Sequence, residues 1–236
     1  MSNKILFIDI EWKPATAYVW RMWKENISPA QLIDAGGLLC FGANWNGSKA
    51  YLFYSEWEHG REAMAQAAKE LLEEAEAVVT YNGDRYDIPK LFGEILLANL
   101  TPPPPPTSID LIKTVKKMGF VMNRLAYIGP LLKLGGKKEH EGFDLWKKVL
   151  NGDEKARKRM TDYCLRDVKL LVDLYKKIKP FIKTHPHLGK AGGHSCGACS
   201  GTKLHSRGYR RTKFYRIQRL QCQSCGAWSD GKREKL

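Results

Sequence analysis

The chain has 236 residues, with 39 Lys and Arg against 25 Asp and Glu and a net charge of +14. A hydrophobic share of 43% is enough for a sizeable core and excludes a wholly disordered chain, and no run approaches the roughly 18 apolar residues of a membrane span. The charge points to a polyanionic partner, nucleic acid before a membrane surface, unless it is only a generally basic solvated exterior.

The first residues, Met1-Ser2-Asn3-Lys4, lack a signal-peptide layout, so a soluble, cytoplasmic protein is expected. Residues 4–10, Lys-Ile-Leu-Phe-Ile-Asp-Ile, form an apolar β-branched run and read as a buried strand. Asp9 and Glu11 are two apart on it, so alternation puts both carboxylates on one face. Two acids at the end of a buried strand are costly unless something neutralises them, and divalent cations do so. Strand ends often carry acids, however, and the triplet alone is a weak signal.

Residues 37–44 and 49–54 read as strands joined by a turn at Asn46-Gly47. Residues 61–75, rich in Ala, Leu and Glu, predict a helix, and Ala77 to Tyr81 a short buried strand ended by Asn82-Gly83. Asp87 opens a helix of about residues 88–98, with Pro89 in its first turn. The plain alternative for Asp87 is a helix N-cap, and for Asn82-Gly83 an ordinary turn. Pro102 to Pro106 form a stiff surface connector. Helical segments are expected at about 110–118 and 123–134, and a long helix over 153–178. On that helix Tyr163 and Asp167 are four apart and share a face, which a surface helix with a half-buried Tyr would also explain. Residues 180–195, rich in Gly, Pro and His, read as a linker in which His185 and His187 are solvated. Hairpin strands followed by interleaved helices make a mixed α/β body.

Cys196-x-x-Cys199 and Cys222-x-x-Cys225 are separated by 22 residues, the pattern of a tetrahedral zinc site with four thiolate ligands. His194 and His205 are substitute ligands that such a site does not need. Residues 190–236 hold eleven Lys and Arg against two acids, a surplus of nine, and leave +5 for the rest of the chain. Between the knuckles, Arg207, Arg210, Arg211, Lys213, Tyr215 and Arg216 interleave cations with aromatics, which suits phosphates and unstacked bases. The alternatives are a solvated hairpin or a protein-docking face.

In this order the elements resemble the DnaQ-like 3′–5′ exonucleases, the DEDD group. They are most similar to the proofreading domains of family B DNA polymerases. The motifs are Phe7-Ile8-Asp9-Ile10-Glu11, the run Tyr81-Asn82-Gly83-Asp84-Arg85-Tyr86-Asp87-Ile88-Pro89, and Tyr163-Cys164-Leu165-Arg166-Asp167. Tyr163 in place of His corresponds to the DEDDy branch. The likeness covers roughly residues 4–178 and departs from the pattern in one extra residue between Phe7 and Asp9 and in Trp12, where the proofreaders usually have Thr.

The resemblance implies an α/β fold, an RNase H-like mixed sheet flanked by helices. Residues 1–182 would be the exonuclease domain, 183–194 a linker and 195–236 a small β zinc ribbon that binds nucleic acid. It implies two Mg²⁺ or Mn²⁺ ions held by Asp9, Glu11, Asp87 and Asp167, with Asp9 bridging, Asp87 serving the leaving-group side partly through water, and Tyr163 orienting the attacking water. Asn82 and Tyr86 are candidates for substrate contact, Tyr86 by stacking, although a core aromatic is an equal reading. The expected activity is metal-dependent hydrolysis of DNA, preferably single-stranded 3′ ends, to 5′-mononucleotides by a stand-alone enzyme, in keeping with a phage-encoded setting. The rivals are an RNA exonuclease of the same fold, a structure-specific endonuclease, and a non-catalytic nucleic-acid-binding protein on a degenerate nuclease domain.

Overall fold

A computed structural model of the chain describes residues 4–135, 142–188 and 195–236. The chain opens with β1 (Ile5–Lys13), then a small ladder of β2 (Thr16–Ala17) and β3 (Leu32–Asp34), and the long β4 (Gly37–Trp45) and β5 (Tyr51–Ser55). α1 (Glu56–His59), α2 (Arg61–Glu74), β6 (Ala77–Thr80), α3 (Asp87–Leu97) and β7 (Ser108–Asp110) follow. Then come α4 (Leu111–Val115), α5 (Leu125–Leu131), α6 (Phe143–Leu150) and the 25-residue α7 (Glu154–Ile178). The cysteine-rich tail adds β8 (Leu204–Arg211), β9 (Tyr215–Cys222) and β10 (Trp228–Lys235).

The body is a five-stranded sheet ordered β5-β4-β1-β6-β7. β4 runs antiparallel to both β1 and β5, whereas β6 and β7 run parallel to β1. The hairpin expected around Asn46-Gly47 is the β4–β5 turn, with Gly47 at φ 86°. Helices cover both faces, and β1 alternates between them. Its odd residues Ile5 and Phe7 pack with Val168, Leu171 and Tyr175 of α7. Its even residues Leu6, Ile8 and Ile10 pack with Met64, Leu72, Leu91 and Ile95 of α2 and α3. Asp9 and Glu11 continue the odd series and therefore emerge on the α7 side.

Two polar devices fix the frame. Glu94, 2% exposed on α3, accepts from Arg61 Nε and Nη2 at 2.5 and 2.8 Å and from the Leu38 backbone N–H at 3.2 Å, tying α2, α3 and β4 together. Asp153 caps α7, its carboxylate accepting from the Ala156 N–H at 2.9 Å. Among the proline run, Pro103 is buried while most of its neighbours are exposed.

The long helix, the first strand and the β4–β5 hairpin match the sequence expectations within a few residues. β2, β3, β7, β10, α1 and α6 were not expected. β2 and β3 are two and three residues long, below the window in which alternation registers. The linker differs from expectation. His185 is only partly exposed, and its Nε2 lies 2.8 Å from the Tyr175 hydroxyl of α7. Leu188 then joins the first knuckle, its N–H donating to the Gly197 carbonyl at 2.7 Å. His185 thus fastens the connector to α7, and burial holds its imidazole below the usual value. Residues 189–194, including His194, lie outside the described residues. Among the described residues no helix is long and apolar enough to cross a membrane.

Candidate active site

The parallel pairing of β1 and β6 stops at Phe7 and Val79, β1 runs on to Lys13, and α7 lies along β1 as far as Asp9. Gly42 on β4 is the register partner of Asp9. A Cβ there would lie 2.9 Å from Val168 Cγ2 and 3.2 Å from Cys164 Sγ, so only glycine allows this approach of helix to sheet. Cys164 Sγ lies 3.9 Å from the Asp9 carbonyl oxygen. Its neighbours on the helix, Tyr163 and Asp167, are thereby carried to the odd face of β1.

There the carboxylate oxygens of Asp9, Glu11 and Asp167 lie within 4.8 Å of one another. Asp167 is 3% exposed. An open cleft of about 260 Å³ is lined by these three acids together with Asn82, Tyr86, Asp87 and Tyr163. The structure therefore gathers all seven sequence candidates of the body. Tyr163 meets Trp146 of α6 edge-on, ring centres 6.1 Å apart.

Asp87 stands slightly apart from the triad. It is the first residue of α3, and its carboxylate does not cap that helix. Its Oδ1 instead accepts from the Ile10 backbone N–H at 3.3 Å. Burial pushes the carboxyl up to about 6, with Asp110 adding to the rise and the Ile10 N–H and Lys90 opposing it. A nearly buried acid with this deficit of positive charge, beside three converging carboxylates, is chemistry that divalent cations satisfy. The four acids fit such a group on that ground.

The turn carrying Asn82 is held by a residue the sequence reading passed over. Asp110, at the junction of β7 and α4, accepts from the backbone N–H groups of Asn82 at 2.7 Å, Ile112 at 3.2 Å and Asp84 at 3.4 Å. Asn82 adopts φ 69°, and a Cβ on Gly83 would meet the Thr80 side chain at 2.4 Å. The Asn-Gly pair is therefore a steric requirement of the turn as well as a lining of the cleft. Tyr81 donates its hydroxyl to the Asn123 carbonyl at 2.6 Å, and burial pushes its phenol up to about 12. The signal for Asp110 was its place at the end of the strand neighbouring β6, legible only once the strand order is known.

Tyr86 is 44% exposed and is not a core aromatic. Lys90 sits between two rings, 3.4 Å from the centre of Trp12 and 4.7 Å from that of Tyr86. Trp12, on the even face of β1, thus leaves the triad's side and steadies a cation at the rim.

The tail forms a three-stranded sheet ordered β10-β9-β8. The sulfurs of Cys196, Cys199, Cys222 and Cys225 all lie within 4.8 Å of one another, with separations of 3.7 Å for Cys196–Cys225 and 3.6 Å for Cys199–Cys222. Zinc–sulfur bonds of about 2.3 Å in a tetrahedron put the sulfurs about 3.8 Å apart, so the cluster fits one zinc ion. Burial disfavours the Cys222 thiolate, but the backbone N–H groups of Cys225 and Ser224 and the neighbouring thiols bring it down to about 7. His205 lies exposed on β8, outside the cluster.

Alternation splits the ribbon's basic candidates between two faces. Arg210, opposite Ile217, shares a face with Arg219, and Arg207 reaches it by donating to Gln221 at 3.1 Å. Arg211 and Arg216 are register partners on the other face, where Arg216 stacks 3.8 Å over the Tyr209 ring. Lys213 lies in the β8–β9 turn, and Tyr215 is 43% exposed.

A family model of the RNase H superfamily matches residues 37–179, and the chain belongs to that superfamily. Among solved structures the chain is similar to RNase D of Trypanosoma brucei, with 12% identity and a TM-score of 0.49 over 77% of this chain. The match covers 58% of that protein's chain, less than two thirds of its length. No curated protein matches.

Proposed function

We propose that the chain is a metal-dependent 3′–5′ exonuclease of the DEDDy type acting on DNA, preferably at single-stranded 3′ ends. The observation that carries this reading is the convergence of Asp9, Glu11 and Asp167 within 4.8 Å in a cleft that Asp87 and Tyr163 also line. Asp9, Glu11, Asp87 and Asp167 would hold two Mg²⁺ or Mn²⁺ ions. Bound divalent cations supply positive charge that acidifies the attacking water and stabilises the phosphoryl oxygens of the displaced ester.

The protein's own groups do the positioning. The Asp9 and Glu11 carboxylates are set by the pleat of a buried strand, and Asp167 by a helix clamped at Gly42. The Tyr163 hydroxyl would orient the water toward phosphorus, while the acidification of that water would fall to the cations. Asp87, with one oxygen engaged by the Ile10 N–H, suits a ligand that acts partly through water on the leaving-group side. Asn82 and the exposed Tyr86 would contact the terminal nucleotides, Tyr86 by stacking. The zinc ribbon, through Arg207, Arg210, Arg211, Lys213, Tyr215 and Arg216, would bind the strand beyond the cut.

The test is incubation of 5′-labelled single- and double-stranded DNA and RNA with Mg²⁺ or Mn²⁺. A ladder shortening from the 3′ end, strongest on single-stranded DNA and absent in Asp9→Ala, is expected. A ladder confined to RNA would reassign the substrate, and intact strands bound tightly would make the chain a binding protein.

A further inference from the structure

The face of the ribbon that carries Arg210 and Arg219 looks onto the connector leaving α7, and two hollows open there. One, of about 630 Å³, is lined by Lys183, Arg210, Arg219, Trp228, Ser229 and Asp230. The other, of about 610 Å³, is lined chiefly by Pro180, Phe181 and Ile182 with Gly226, Gln221 and the same Lys183 and Trp228. Trp228 and Lys183 therefore stand on the wall between a cationic and an apolar compartment, each within the size range of small-molecule sites.

Their chemistry is complementary to one ligand type. Trp228 is 52% exposed, with the Arg219 guanidinium 5.7 Å from its ring centre. Asp230 is already neutralised, because Arg210 holds both its oxygens at 3.1 and 2.5 Å and Arg233 lies 3.9 Å away. Lys183, Arg210, Arg219 and Arg233 against Asp230 leave a local surplus of three positive charges. An apolar slot with an indole face beside a cationic slot matches a nucleobase and its adjoining phosphate. The indole face is of use only to a base outside a duplex, since paired and stacked bases cover their own π-faces.

We infer that this junction between connector and ribbon is a nucleotide subsite for single-stranded nucleic acid, in which a base stacks on Trp228 beside Phe181 while its phosphate meets Lys183 and Arg219. The inference rests on the reading of the ribbon as strand-binding and adds a place and a stacking partner to it. Both walls come from different units, so the bound strand also fixes the ribbon against the end of α7. From Asp167 to Ile178 the helix rises about 17 Å, which sets the subsite several nucleotides away from the carboxylates.

The test uses the full chain with Asp9→Asn, so that the strand stays intact, and a fluorescent 20-nucleotide DNA followed by anisotropy over a range of salt. Trp228→Ala should weaken binding about tenfold or more with the salt slope unchanged, and Trp228→Phe should stay within about twofold. Lys183→Ala should lower the slope by about 0.7, one single-strand phosphate contact. Zinc content of one ion per chain in each variant shows that the ribbon is folded. If Trp228→Ala and Lys183→Ala bind like the parent while Arg211→Ala with Arg216→Ala weakens binding, the subsite is wrong and the strand lies on the other face. If none of these variants changes affinity, the strand-binding reading of the ribbon falls, and the subsite with it.

Discussion

Asp87 is the side chain whose environment says most about the site. Its carboxyl is pushed up to about 6 by burial, so the folded protein holds that proton more tightly than the unfolded chain, whose carboxyl titrates near 3.8. A raised acid contributes stability in full below about pH 4 and loses it as the pH passes 6. For a shift of about two units the loss is about 3 kcal/mol. Without added Mg²⁺, Asp87→Asn should therefore raise the melting temperature at pH 8, leave it nearly unchanged at pH 4, and abolish hydrolysis; a melting temperature unchanged at pH 8 would contradict the burial argument. Asp110 makes a second test at this scale. Its three backbone acceptor contacts hold the turn of Asn82. Asp110→Ala should cost about 1–3 kcal/mol in denaturant unfolding and lower turnover more than cation affinity, since it orients the turn and ligates nothing. Strand and helix periods put the acids of β1 and α7 on definable faces, but only the resemblance to the DnaQ-like exonucleases joined them with Asp87 into one expected site. Asp110 was not legible in the sequence, because its partner Asn82 is 28 residues away and the neighbouring of β6 and β7 carries no local signal.

At the scale of elements, the closeness of α7 to β1 decides the geometry. Gly42 sets that distance, and a strand glycine in an apolar run gives no hint that a helix will lie on it. Gly42→Val should force α7 outward, destabilise the fold by about 1–3 kcal/mol and reduce hydrolysis far more than that loss explains. The check is activity at a temperature where circular dichroism shows the variant folded; full activity there would show that the approach of α7 is not what assembles the triad. The alternation of β1 explains why the apolar run and the two acids coexist on one strand. Odd positions pack under α7 until Phe7 and then become Asp9 and Glu11 at the open end. The helix α6 was missed because its eight residues form barely two turns, yet it supplies Trp146 against Tyr163. Its amphipathic pattern is too short to separate from a loop in the sequence.

Across the whole molecule, the charge of +14 divides into a basic ribbon and a body that gathers four of its acids in one cleft. A sheet of three strands with a small apolar cluster around Cys196, Ala198 and Cys222 has little core of its own, so a zinc ion held by the four thiolates would carry much of its stability. Removing zinc with a chelator should weaken DNA binding and flatten its salt dependence; unchanged affinity in the zinc-free protein would contradict a strand-binding ribbon. The fold class was readable because hairpin strands precede interleaved helices. The docking of the connector, on α7 through His185 and on the first knuckle through Leu188, was not, since Gly, Pro and His in a connector look alike whether solvated or docked. A divalent-cation centre that cuts a strand from its 3′ end requires the acids of β1 to bind ions and hydrolysis to follow that binding. Titration of the zinc-loaded protein with Mn²⁺, read by electron paramagnetic resonance and by shortening of a 5′-labelled strand in the same samples, tests both requirements directly. Two Mn²⁺ per chain beyond the zinc, hydrolysis that rises with their binding, and loss of both binding and hydrolysis in Asp9→Ala are expected. An Asp9→Ala protein that still binds two Mn²⁺ and shortens the strand would contradict a cation centre at these acids.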